Sequence, residues 1–157
     1  MHERSRPTLH IEQVYREESP RLWRALLAFS ANAEVASDAA AEAFAQLLRR
    51  GDSVKDPSAW VWKVAFRLAA GELKRMRTQK LVEVPEAANA EEMDWELIGA
   101  LKQLPAKQRA SVVLHHYAGY GVREVARLIG STPPAVRVHL SNGRKRLRHI
   151  LGGSNGS

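Results

Sequence analysis

Residues 119–151 read GYGVREVARLIGSTPPAVRVHLSNGRKRLRHIL, and the pattern of this stretch decides what kind of chain this is. Val122, Val125, Ala126 and Ile129 recur at helical spacing, Gly130 and Ser131 interrupt, and a second apolar stripe runs through Val136, Leu140, Gly143, Leu147 and Leu151. Two helices joined by a tight turn follow from that spacing. Gly130 suits a turn that needs positive φ, Thr132 is placed to cap the second helix, and Pro133 fits its first turn, where a missing N–H does no harm. The other side of the second helix carries Arg137, Ser141, Arg144, Lys145 and Arg148, with Arg146 nearby. A basic face alone is usually only a solvated surface. Joined to a capped glycine turn, it reads as the recognition helix of a helix-turn-helix.

The charge distribution agrees. The 157 residues carry 24 Lys and Arg against 17 Asp and Glu, a net +7. Residues 1–96 hold 14 bases and 16 acids, whereas residues 97–157 hold 10 bases and one acid, so the positive charge lies with the helix-turn-helix. Nucleic acid phosphate is the natural partner of such a segment. A membrane surface fits less well, because no long helix pairs a broad apolar face with the basic one. Cysteine is absent, which excludes disulfides and thiolate zinc sites and suits a reducing compartment. The opening MHERSRPTLH has no apolar core of a signal peptide and no run of about 18 apolar residues follows, so the expected location is cytoplasmic.

The rest of the chain reads as helix throughout. Residues 1–8 are expected to be a disordered lead. A helix then carries Ile11, Val14 and Tyr15, and Ser19-Pro20 predicts a kink or break and a new start through Leu22, Trp23, Leu26, Leu27 and Phe29. Residues 35–50 form a helix with Ala36, Ala40, Ala43, Phe44, Leu47 and Leu48 inward, and with Asp38, Glu42 and Gln46 along an exposed face. A polar loop, 51–57, leads into a helix holding Trp60, Trp62, Val64 and Leu68 and ending in Lys74, Arg75, Arg77 and Lys80. Trp60 shares a stripe with Val64 and Leu68 and is assigned to the core, leaving Trp62 for a strand or partner. The acidic, proline-broken residues 82–92 read as a linker. Helices over about 94–104 and 107–117 precede the helix-turn-helix, and GGSNGS is expected to be a flexible tail. No strand pattern or repeat occurs, so the class is all-α, two small helical domains joined by a flexible linker, the C-terminal one a helix-turn-helix.

In that order the chain resembles the extracytoplasmic-function (group IV) sigma factors, members of the sigma-70 family of bacterial RNA polymerase subunits. The resemblance rests on YREESPRLWRALLAFSANAEVASDAAAEAFAQLLRR, on PSAWVWKVAFRLAAGELKRMR, and most specifically on LKQLPAKQRASVVLHHYAGYGVREVARLIGSTPPAVRVHLSNGRKRLRHIL. It implies a first domain, 9–80, that docks on the polymerase core and holds the opened minus-ten element. A linker, 81–93, would lead to a second domain, 94–151, that reads the minus-thirty-five element, with 152–157 as tail. Docking on the β′ clamp helices would use Asp38, Glu42 and Gln46, and the β flap and an anti-sigma factor are further implied partners. Asp52, Ser53, Lys63, Arg67, Lys74, Arg75 and Arg77 would face the melted strand. Thr132, Pro133, Arg137, Ser141, Arg144, Lys145 and Arg148 would meet the duplex.

The residue types suit those roles. A melted strand needs a place for an unstacked base and a positive wall, which a short polar loop and a cationic helix supply. Arg137 and Ser141 stand one turn apart to reach base edges, while Arg144, Lys145 and Arg148 suit phosphates. The chain departs from the family pattern at Ala39, Ala40 and Ala41, which thin the docking face, at Phe66-Arg67, where Arg-Asn is usual, and at Pro133-Pro134, in place of acid-glycine. No cofactor, metal or enzymatic chemistry is expected. Asp38 and Glu42 have no third ligand nearby, and His115 and His116, adjacent and so on different helix faces, make a poor metal site. Two other readings compete, a stand-alone helix-turn-helix transcriptional regulator and a sigma-like protein that binds polymerase without melting promoters.

Overall fold

The structure is a computed structural model that describes the backbone of residues 2–77 and 94–156, with side chains over 10–77 and 94–152. The expected linker, 81–93, and Lys80 lie outside the described residues. Among the described residues there are seven α-helices: α1 (His2–Ser30), α2 (Ala33–Arg50), α3 (Pro57–Met76), α4 (Trp95–Lys102), α5 (Ala106–Val112), α6 (Val122–Ile129) and α7 (Pro133–Gly156). A 3₁₀ turn, Gly51–Ser53, follows α2, and α5 runs on into a π-helical turn, Val113–Tyr117. There is no strand among the described residues, and no described helix is long and apolar enough to cross a membrane.

Local chemistry sets the helix ends. The side chain of Asn32 accepts from Val35 N at 3.0 Å to start α2, Asp56 from Ala59 N at 3.1 Å to start α3, and Asp94 from Leu97 N at 3.0 Å to start α4. Three expectations about helix extent fail. α1 begins at His2 rather than after a disordered lead, and it runs unbroken through Pro20. Ile11 and Val14 before the proline, and Leu22 and Leu26 after it, are all buried, and that shared burial outweighs one missing hydrogen bond. α7 likewise continues to Gly156, where a flexible tail was expected.

Helices α1, α2 and α3 form an N-terminal three-helix unit, and α4 to α7 form a C-terminal unit around Leu101, Val113, Leu114, Val125, Val136 and Leu140. The two units pack on each other and share one apolar cluster, α3 against α6 and α1 against α4, α5 and the π-helical turn. Trp62 is the centre of this seam. It is fully buried, donates its indole N–H to Glu18 Oε2 at 3.0 Å, and receives the edge of Tyr120 at 5.6 Å between ring centroids. Arg21 stacks over Trp62 and donates to the carbonyl of Ala118, while Ser58 Oγ donates to the other oxygen of Glu18 at 2.6 Å.

The two tryptophans therefore exchange their expected places. Trp60 is only half-buried, covered by the guanidinium of Arg50, and Trp62 fills the core, because α3 is apolar on two sides and the second unit covers the side that sequence spacing leaves open. Leu48, expected inward, is 56% exposed, and Tyr15 is 52% exposed. Tyr15 lays its ring edge-on to Phe44.

Candidate nucleic-acid interface

The helix-turn-helix forms as its sequence requires. Gly130 closes α6 in the left-handed region, φ 66° and ψ 43°, and donates its N–H to Ala126 O; Ser131 N reaches the same carbonyl at 2.8 Å. Thr132 Oγ1 accepts from Ala135 N at 3.3 Å, and Pro133 opens α7, as capping chemistry predicts. At the other end of α6 the Glu124 carboxylate accepts from Gly121 N at 3.2 Å. Val136, Leu140 and Gly143 of α7 are buried. Gly143 is required by close packing, since a Cβ there would lie 2.9 Å from Val112 Cγ2 of α5.

This seating turns the rest of α7 outward. Arg137, Lys145 and Arg148 are exposed along one stripe with Ser141 half-buried among them, and Thr132 is exposed at its start. Arg144 lies at the margin of the stripe, with Nη1 3.5 Å from His116 Nε2. Val138, 57% exposed beside Arg137, was missed by the sequence reading. A lone apolar residue on a cationic helix face is suited to a thymine methyl in the major groove. The face can thus combine base-edge donors, one apolar contact and phosphate-binding cations on a rigid helix.

The histidines point to different surroundings, as expected: in the π-helical turn, marked by Ala118 N bonding Val113 O at 3.1 Å, His115 is half-buried and His116 exposed, their rings meeting edge-on at 4.9 Å. His115 Nδ1 is 2.7 Å from Tyr120 O. His116 is exposed, and partial desolvation, then His115 and Arg144, push its pKa below the ordinary histidine value. Among the described residues no group of three or more His, Asp or Glu could hold a metal ion.

In the N-terminal unit Asp38 and Glu42 are exposed on α2. Glu42 Oε1 accepts from both Gln46 Nε2 and Arg49 Nη2 at 3.1 Å, and the Gln46 bond, followed by Arg49, holds its carboxyl below the usual carboxylate range. Sequence reasoning named Gln46 but missed Arg49, although its position seven residues on, two helical turns away, was the available signal. Ala39 and Ala40 are buried, so of the three alanines only Ala41 belongs to the exposed face and the thinning is confined to one position.

The cationic residues of α3 do not form one surface. Arg67, Lys74 and Arg77 line a cleft facing the C-terminal unit, Lys63 is half-buried, and Arg75 is paired with Glu72. Asp52 and Ser53 are exposed in the 3₁₀ turn, where Ser53 Oγ donates to Arg50 O at 2.9 Å.

Comparison with known proteins aligns with this geometry. The family described as "Sigma-70, region 4" matches residues 94–147, from the cap of α4 to the middle of α7. The chain is 28% identical over 150 residues to the ECF RNA polymerase sigma factor SigM of Mycobacterium tuberculosis, covering 90% of this chain and 76% of that protein. It is 25% identical over 154 residues to the RNA polymerase sigma factor CarQ of Myxococcus xanthus, covering 90% and 88%. Among solved structures, the fold is similar to the sigma factor RpoE of Bartonella quintana in complex with the anti-sigma factor NepR. That match has a TM-score of 0.76 at 20% identity and covers 89% of this chain and 95% of the other. CnrH in complex with the cytosolic domain of CnrY matches with a TM-score of 0.72 at 19% identity, covering 91% and 88%.

Proposed function

We infer that this chain, which belongs to the extracytoplasmic-function sigma factors of the sigma-70 family, binds the core of RNA polymerase and directs it to start transcription at specific promoters. The observation that carries the reading is the coincidence of the region 4 match with a capped, cationic helix-turn-helix. The family is not known for enzymatic chemistry, and the chain's work is binding, carried out in the cytoplasm where polymerase and promoter are found.

A division of labour follows. Residues 9–80 form the unit that holds polymerase and the minus-ten element, residues 81–93 are the linker, and residues 94–151 read the minus-thirty-five element. Arg137, Val138 and Ser141 read base edges while Thr132, Pro133, Arg144, Lys145 and Arg148 position the helix on phosphates. Asp38, Glu42 and Gln46, with Arg49, dock on the β′ clamp helices, and the C-terminal unit meets the β flap. Asp52, Ser53, Lys63, Arg67, Lys74, Arg75 and Arg77 hold the melted strand. Because Arg67, Lys74 and Arg77 face the C-terminal unit, strand contact there requires the units to part. The contacts that then break are Arg21 to Ala118, Tyr120 on Trp62, and the Arg109 guanidinium 5.0 Å above the ring of Phe29. The Bartonella RpoE was solved in complex with an anti-sigma factor, and a partner of that kind that held the two units together would inhibit this chain.

A gel shift separates this reading from that of a stand-alone regulator. A specific shift of promoter duplex is expected only when core polymerase is present. Tight, sequence-specific binding by the chain alone would transfer the function to the regulator class.

A further inference from the structure

Between the two units lies a cleft of about 900 Å³, within the size range of small-molecule sites. Its floor is aliphatic, from Leu73, Met76, Leu104, Leu128 and Ile129, and its walls carry six cations: Arg67, Lys74 and Arg77 from α3, and Lys102, Lys107 and Arg109 from the C-terminal unit. No acidic residue lines it among the described residues. Arg109 is only 9% exposed and has no carboxylate bonded to it there. Its Nη1 donates to Lys102 O and Leu104 O at 3.2 and 3.3 Å, and Nε has no partner. Six like charges gathered across the seam repel one another, and an anion among them would relieve that repulsion.

We propose that this cleft is a binding site for a small anionic amphiphile, a phosphate or carboxylate head on an aliphatic body, whose head is held by Lys102, Lys107 and the α3 cations and whose body lies against Leu73, Met76, Leu128 and Ile129. The two halves of the site come from different units, so the bound molecule bridges them and favours the packed arrangement over the parted one. Phe29 and Phe66 reach the cleft but are only 2% and 3% exposed, and the Arg109 guanidinium lies over Phe29, which favours an aliphatic body over a stacked base. The site stands on the cleft alone and does not depend on promoter binding.

The test is titration calorimetry of the full chain near physiological salt, below micelle-forming concentrations, with decyl phosphate, decanoate, decyltrimethylammonium and inorganic phosphate. Decyl phosphate or decanoate should bind saturably at one per chain, and the tighter of the two identifies the head group. Inorganic phosphate and the cationic amphiphile should bind at least tenfold more weakly. Lys102 and Lys107 are exposed, so a K102E/K107E variant should keep its circular dichroism spectrum, melt no lower than the parent chain and lose at least tenfold in affinity. Binding of the cationic amphiphile as tight as that of the anions, equal binding of bare phosphate, no saturable binding, or an unaltered affinity in K102E/K107E overturns the proposal.

Discussion

Replacing Gly143 with alanine places a methyl group where α7 crosses α5. The new carbon would lie 2.9 Å from Val112 Cγ2, 3.5 Å from Leu104 Cδ2 and 3.7 Å from Gln108 Cβ. Val112 is buried and β-branched, so it cannot swing its methyl aside at low cost. Overpacking of this kind costs about 1–3 kcal/mol. The gain from exchanging glycine for alanine inside a helix returns about 1 kcal/mol, leaving a net destabilisation of about 1 kcal/mol. Gly99 in α4 is the reference, because a Cβ there meets nothing within 4 Å. Gly99→Ala should therefore stabilise by about 1 kcal/mol, and the two substitutions should differ in Tm by roughly 4–8 °C. Val112→Ala in the Gly143→Ala background removes the clash, and thermal unfolding of the four-member cycle should show a favourable coupling of about 1 kcal/mol or more. A Gly143→Ala protein as stabilised as Gly99→Ala, with no coupling to Val112, would refute the close seating of α7 and with it the stated orientation of the recognition face.

Three further outcomes are expected. Arg137→Ala should weaken holoenzyme binding at the minus-thirty-five element by about 1–3 kcal/mol and relax sequence preference, whereas Lys145→Ala should weaken all sequences alike, as competition on promoter variants would show. Tyr120, half-buried in the seam, has its pKa pushed up to about 12 by burial first and Glu18 next, so the folded chain holds its proton when the unfolded chain loses it. The stability this confers is complete below about pH 10 and lost as pH rises from there towards 12; one of the three tyrosines should titrate late in ultraviolet absorbance, and Tyr120→Phe should remove that step. For His116 the folded pKa is depressed, so its effect is absent above about pH 6.5 and it destabilises the fold as pH falls below that. Arg144→Gln should raise the His116 pKa in an NMR titration, and an unchanged value would show that the Arg144 contact is not formed in solution.

The C-terminal half was the more legible in sequence because its signals are local. A glycine in the left-handed region, a threonine cap and a proline at the first helical position act within four residues of each other, and each is visible in GSTPP. Trp62 was misplaced because its environment comes from Glu18, 44 residues away, and from Tyr120 in the other unit, and no helical period reports on either. The same limit hid Ala39, whose burial depends on which neighbours flank α2, and Pro20, where packing on both sides carries α1 through a residue that alone would break it. The cleft was invisible for a related reason: its cations come from stretches some 30 residues apart, and only the packing of the units brings them to one wall.

Promoter-directed initiation is the measurement closest to the central claim. Bacterial core polymerase supplemented with this chain should give a transcript with a defined start on DNA carrying its promoter. Arg137→Glu with Arg144→Glu should abolish that transcript while leaving the chain bound to core. Initiation unaltered by the double charge reversal, or no initiation above that of core polymerase across a genomic DNA library, would contradict it.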